Sequence, residues 1–137
     1  MSVRKDYLLR MIEQTARILA RVRELLVGGR TAEARAELEA AARGAGLDLG
    51  IVLSLAPESL EPLLTTGGEI DRPKCALFAE LLYLERQRAL ADADAARARR
   101  CASRALLLYS LAYEGIVVDE ETQRKLDELR EDREHAD

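Results

Sequence analysis

The 137-residue chain has no tryptophan and no asparagine, one phenylalanine, three prolines and a single histidine, His135, third from the C-terminus. Each shortage excludes something. A lone histidine in a charged tail denies a cysteine or serine nucleophile its customary base. Neither a His-x-x-x-His pair nor a second cysteine pair exists to build zinc-ligand spacing. The longest charge-free stretches are residues 49–57 and 105–113, well short of the roughly 20 apolar residues that a membrane-spanning helix needs. The first apolar run breaks at Arg10 and Glu13, so no signal-peptide core is read there and a cytoplasmic location is expected. No glycine-rich phosphate loop occurs, and no cofactor is expected.

What remains is the composition of a helical protein. Alanine (22) and leucine (24) dominate, charged residues make up 34%, and the length suits one domain. Val3 to Val27 carries Leu8, Met11, Ile12, Thr15, Leu19, Val22 and Leu26 at spacings of three and four, which predicts a long amphipathic helix. Gly28 and Gly29 stop it. Thr31 is a candidate N-cap for a second helix through Ala34, Leu38, Ala41 and Ala42, ended by Gly44 and Gly46.

Residues 47–68 are less regular. The apolar run from Leu47 to Leu55 suits a short helix or a strand, and helix is favoured because nothing offers it a pairing strand. Thr65 to Gly68 reads as a loop. Asp71 and Pro73 open a further helix reaching Leu90. A tight turn falls at Ala91–Asp94, and Asp94 caps a helix closed by Gly115. Asp119 or Thr122 opens a last helix pinned by Leu126 and Leu129. The expected fold is all-α, five to seven helices in one domain over residues 1–130, with a frayed charged tail at 131–137.

Two segments repeat. Gly29-Arg30-Thr31-Ala32-Glu33-Ala34, followed by Leu38 and Ala41, aligns with Ala93-Asp94-Ala95-Ala96-Arg97-Ala98, followed by Ala102 and Ala105. Small residues after a tight turn let antiparallel helices approach closely, and this chain resembles tetratricopeptide-like helical hairpins. The opening Lys5-Asp6-Tyr7-Leu8-Leu9-Arg10-Met11-Ile12-Glu13-Gln14 resembles, more narrowly, a family of short bacterial proteins of unknown function that carry such helices to their end. The resemblance implies a fold and no activity. Residues 47–68 then hold either a degenerate repeat or an irregular insertion. Arg86 departs from the pattern, standing where a small residue is usual. Tetratricopeptide arrays often hold a peptide carboxylate with Asn and Lys, and a chain with no Asn and three Lys cannot build that clamp.

Cys75 and Cys101 lie about 18 residues before and 8 after the turn near Ala93, staggered by roughly 15 Å. They are therefore read as buried thiols rather than a disulfide. Asp92 and Asp94 are read as turn and cap residues. Glu80 and Glu114, on the two arms of the last hairpin, are read as the one candidate acid pair for an enzyme or small-molecule binder. Arg97, Arg100 and Arg104 share a helix face and form a candidate basic patch, although a sequence pI near 5.2 argues against nucleic acid.

The net charge of −4 is unevenly spread. Residues 1–30 and 86–104 are basic, whereas 31–85 and 119–137 are acidic, a polarity suited to self-complementary contacts. Tyr7, Leu8, Met11, Ile12, Thr15, Leu19, Val22 and Leu26 form the candidate interaction seam, for another protein or for a homodimer. The expected role is accordingly a non-catalytic protein-interaction or scaffolding module.

Overall fold

The computed structural model describes the backbone of residues 3–134 and, within it, the side chains of Arg10 and of residues 13–132. Seven α-helices account for most of it: α1 (Val3–Val27), α2 (Thr31–Gly44), α3 (Leu49–Ser54), α4 (Pro57–Leu60), α5 (Arg72–Ala91), α6 (Ala95–Ala112) and α7 (Glu120–Glu134). The all-α expectation holds. Between α4 and α5 lie a 3₁₀ turn over Glu61–Leu64 and one small hairpin, β1 (Thr65–Thr66) with β2 (Glu69–Ile70).

α5 is the centre of the molecule. Twelve of its 20 residues are buried, three of them charged, and its apolar residues are spread around the helix rather than along one stripe. α6 folds back along it as an antiparallel neighbour, α1 and α2 pack on one flank, and α7 lies against α6. Phe78, Leu81, Leu82, Leu108 and Tyr109 are almost wholly buried where these layers meet.

The turns that connect α1 to α2 and α5 to α6 are the same turn. In the first, Gly29 takes φ +74°, Gly29 N donates to Leu26 O (3.1 Å) and Arg30 N to Leu25 O (2.8 Å). In the second, Ala93 takes φ +59°, Ala93 N donates to Leu90 O (3.1 Å) and Asp94 N to Ala89 O (2.8 Å). Both close the preceding helix with the paired bonds that satisfy its last carbonyls. Ala34 and Ala98 then enter the core at equivalent places, each essentially inaccessible.

Several boundaries differ from the sequence reading. Thr31 is not the N-cap of α2. Arg30 holds that position without a side-chain bond. Residues 47–68 hold α3, α4, the 3₁₀ turn and β1, begun by Asp48, whose carboxylate accepts from Gly50 N at 2.9 Å. Their Leu49, Val52, Leu60 and Leu64 join the main core. Thr65–Gly68 contributes a strand and its turn: Gly67 and Gly68 both have positive φ, the backbone that a two-residue hairpin loop requires. Thr65 therefore faces Ile70 and Thr66 faces Glu69 across the ladder.

The tail reading also changes. Asp119 opens α7 by accepting from Thr122 N at 2.8 Å, and the helix runs through residue 131 to Glu134. Asp132 is tied to Arg86 of α5.

Candidate functional site

α7 offers the core little apolar surface: Leu129 is fully buried and Leu126 partly so. Charge does much of the docking. The Arg86 guanidinium, 5% exposed, donates to Glu128 Oε1 at 2.7 Å and to both carboxylate oxygens of Asp132, one of them at 2.9 Å. Tyr83 Oη donates to the other Glu128 oxygen at 2.7 Å. From the α7 side, Lys125 Nζ donates to Glu80 Oε2 at 2.7 Å and lies 5.3 Å from the centre of the Tyr83 ring, within cation–π range. The residue that breaks the small-residue pattern, Arg86, is thus the anchor for a whole helix.

A second cluster closes the α5–α6 turn. Glu85 is 1% exposed and accepts from Arg88 Nε and Nη2 at 2.9 and 2.8 Å and from Arg97 Nε at 2.6 Å. Burial raises the pKa of such a carboxyl, and the hydrogen bonds from Arg88 and Arg97 overcome it, leaving Glu85 below its ordinary range. Glu128 behaves alike: burial opposes ionisation, and Arg86 and Tyr83 reverse the balance. Tyr109 differs. Its hydroxyl is buried with no partner at hydrogen-bonding distance, and burial, then the nearby Glu80 charge, push the phenol upward.

The acid pair expected at Glu80 and Glu114 does not form. Glu80 is spent on Lys125, while Glu114 is exposed and its backbone carbonyl accepts from Arg72 Nη1 at 2.9 Å. Glu80 lies 13 residues before Ala93 and Glu114 lies 21 after it, so the two stand at different levels of the hairpin. The candidate basic patch also comes apart. Arg97 turns inward to Glu85, Arg104 Nη2 donates to Leu55 O at 2.6 Å, and Arg100 remains exposed. Cys75 and Cys101 are free and buried. Among the described residues, no group of three or more histidine, cysteine, aspartate or glutamate side chains could hold a metal ion.

Three of the eight residues of the candidate seam on α1 are occupied within the domain. Leu19 and Val22 are buried, as is Leu25, which the spacing argument overlooked, and Leu26 packs against the same core. Thr15 is half-buried. Tyr7, Leu8, Met11 and Ile12 lie outside the described side chains.

Surface depressions occur among the described residues. A groove of about 790 Å³ runs between α1, the start of α5 and the α6–α7 connection. Its floor is Leu19, Ala76, Leu77 and Ala112, and its rim carries Arg23 and Arg72 with Glu121 and Asp119. A smaller one of about 380 Å³ lies on the other side of α1, against α2. The third, about 880 Å³, follows α6 between α7 and Pro57 and shares Tyr113 and Ile116 with the first.

The buried acids met above are each matched to a cation, and every carboxylate with a displaced pKa among the described residues is displaced downward. A general acid working near neutrality needs the opposite. No family model matches the chain, and no curated protein or solved structure matches it. Among the described residues, no helix is long and apolar enough to cross a membrane.

Proposed function

We propose that this chain is a non-catalytic protein-interaction module, a cytoplasmic bacterial protein of tetratricopeptide-like helical hairpins that holds another protein or a second copy of itself. The observation that carries this reading is the groove between α1, α5 and the α6–α7 connection. It combines an apolar floor with a rim of both signs, the makeup of a surface that receives an amphipathic helix. The two equivalent turns, offset by the same interval as the repeated segments, support the hairpin reading. The pairing of buried carboxylates with arginine or lysine supports a structural role for these acids over acid–base work.

The test fills the groove. Ala76 is half-buried on its floor, so Ala76→Arg blocks the groove without leaving a cavity. Tagged wild-type and A76R chains are used to capture proteins from a bacterial lysate, with circular dichroism to confirm that both are folded. A protein retained by the wild type and lost from A76R supports the reading. Identical captures by both chains refute it.

A further inference from the structure

We propose that α7 is a displaceable strap, and that the face of α5 and α6 beneath it is a docking site for an acidic amphipathic helix of another protein, a site that α7 fills within the chain. The contact itself shows the chemistry that this face accepts. Lys125, Glu128, Leu129 and Asp132 stand at i, i+3, i+4 and i+7 of α7, so one stripe carries all four, the pattern of a helix laid into a groove. Leu129 is fully buried. Around it Arg86 holds the carboxylates of Glu128 and Asp132, Tyr83 Oη donates to Glu128, and Glu80 accepts from Lys125. The face is therefore a leucine seat with a cation set for two acids and an acid set for a lysine.

α7 is also an occupant that can leave. Its apolar side chains are Leu126 and Leu129 alone, against eight buried residues on α6, so parting it from its neighbours uncovers little apolar surface. The ions that dock it regain water on release, and taking them out of water costs much of what their attraction returns. They fix where α7 sits more than how tightly it is held. The connection to α6 turns at Gly115 with φ +75° and leaves Val117 97% exposed, so that side chain packs against nothing that would hold the connection shut. The fit is incomplete as well. Tyr109 is 1% exposed and lies close enough to Glu80 and Tyr83 to feel both, yet its hydroxyl has no partner, a cost that α7 leaves in place. A partner helix that repeats the stripe of α7 meets the same cradle and competes with a modestly held occupant.

Hydrogen exchange of the full chain, read by mass spectrometry, tests the release. Amides of α7 are expected to exchange at least about tenfold faster than those of α5 and α6 under native conditions. Glu128→Gln together with Asp132→Asn speeds α7 further and leaves α5 and α6 unchanged. A fluorescent peptide with the sequence of residues 119–134 tests the site. Apparent affinity scales with the fraction of chains whose site is open, so the peptide should bind full-length E128Q/D132N at least about tenfold more tightly than the wild type. Arg86→Leu in that background should abolish the gain. Amides of α7 that exchange in step with those of α5 and α6 would overturn the proposal, as would peptide binding that is no tighter to E128Q/D132N or that survives R86L. The A76R captures are a separate test: peptide binding as expected beside identical captures leaves this site standing and refutes the groove reading.

Discussion

Glu85 is the position at which a small chemical change should have the largest effect. It is 1% exposed and receives three hydrogen bonds from two guanidiniums. Glu85→Gln keeps the shape, so no cavity contributes to the loss. It removes the negative charge shared by Arg88 and Arg97, whose side chains are 4% and 17% exposed; Arg88 keeps Asp92 at 2.7 Å, so the loss falls chiefly on Arg97. Stranding cations at a buried site costs about 2–4 kcal/mol after relaxation. At about 4 °C per kcal/mol for a domain of this size, the melting temperature falls by roughly 8–16 °C.

Urea titrations followed by helical circular dichroism measure the difference, and pH supplies its signature. The folded Glu85 pKa lies below the ordinary range, so its stabilisation is complete above the unfolded pKa and is lost as pH falls through the folded one. Glutamine does not titrate. The gap between wild type and E85Q is therefore constant near neutrality and narrows as the carboxyl protonates. Replacing the whole cluster, as in E85L/R88M/R97M, should cost less than E85Q alone, since no uncompensated charge remains. A gap below about 1 kcal/mol at neutral pH, or one unchanged down to about pH 3, would refute the reasoning.

Two further outcomes follow from the same structure. Ala93 holds a left-handed backbone at φ +59°, so Ala93→Gly should raise stability by roughly 0.5–1 kcal/mol, while Gly29→Ala in the equivalent turn should lower it by about 1; thermal melts that move both variants in one direction would contradict this. Burial pushes the Cys75 thiol up to about 11 and the Cys101 thiol up to about 12, so a thiol reagent at about pH 8 should label neither in the folded chain and both in urea, and rapid labelling without denaturant would show that the helices open far more readily than their packing implies.

Helix positions were legible because their signals are local. Asp48, Asp71, Asp94 and Asp119 each stand one residue before a helix and accept from its first turn, and the spacing of apolar residues in α1 and α6 reports the buried side directly. The hairpin at residues 65–70 was hidden because two-residue strands have no periodicity to read, although two adjacent glycines carried the turn. Leu25 was missed for a related reason: a stripe wide enough to meet both α2 and α5 takes in neighbours that a strict three-and-four count drops.

The ion pairs divide along the same line. Glu85 with Arg88 and Arg88 with Asp92 are three and four residues apart on one helix, a spacing that brings side chains together in any helix. Charged residues inside the otherwise apolar run from Leu81 to Leu90 were a visible sign of buried polarity. Their partners across the fold were not, since Arg86 meets Glu128 and Asp132 more than 40 residues away. A chain of alanine and leucine helices has many nearly equivalent ways to slide one helix past another, and apolar contact alone discriminates weakly among them. A shift of α7 by one turn would keep its leucines near apolar surface and leave Arg86 one acid of its two, since Glu128 and Asp132 are a turn apart, but it would part Lys125 from Glu80. Lys125 would then be a buried cation with no compensating charge, an arrangement more costly than the misplaced leucines. The polar residues that defeat the simple sequence pattern are therefore the ones that select a single register for α7, and with it the shape of the grooves on either side.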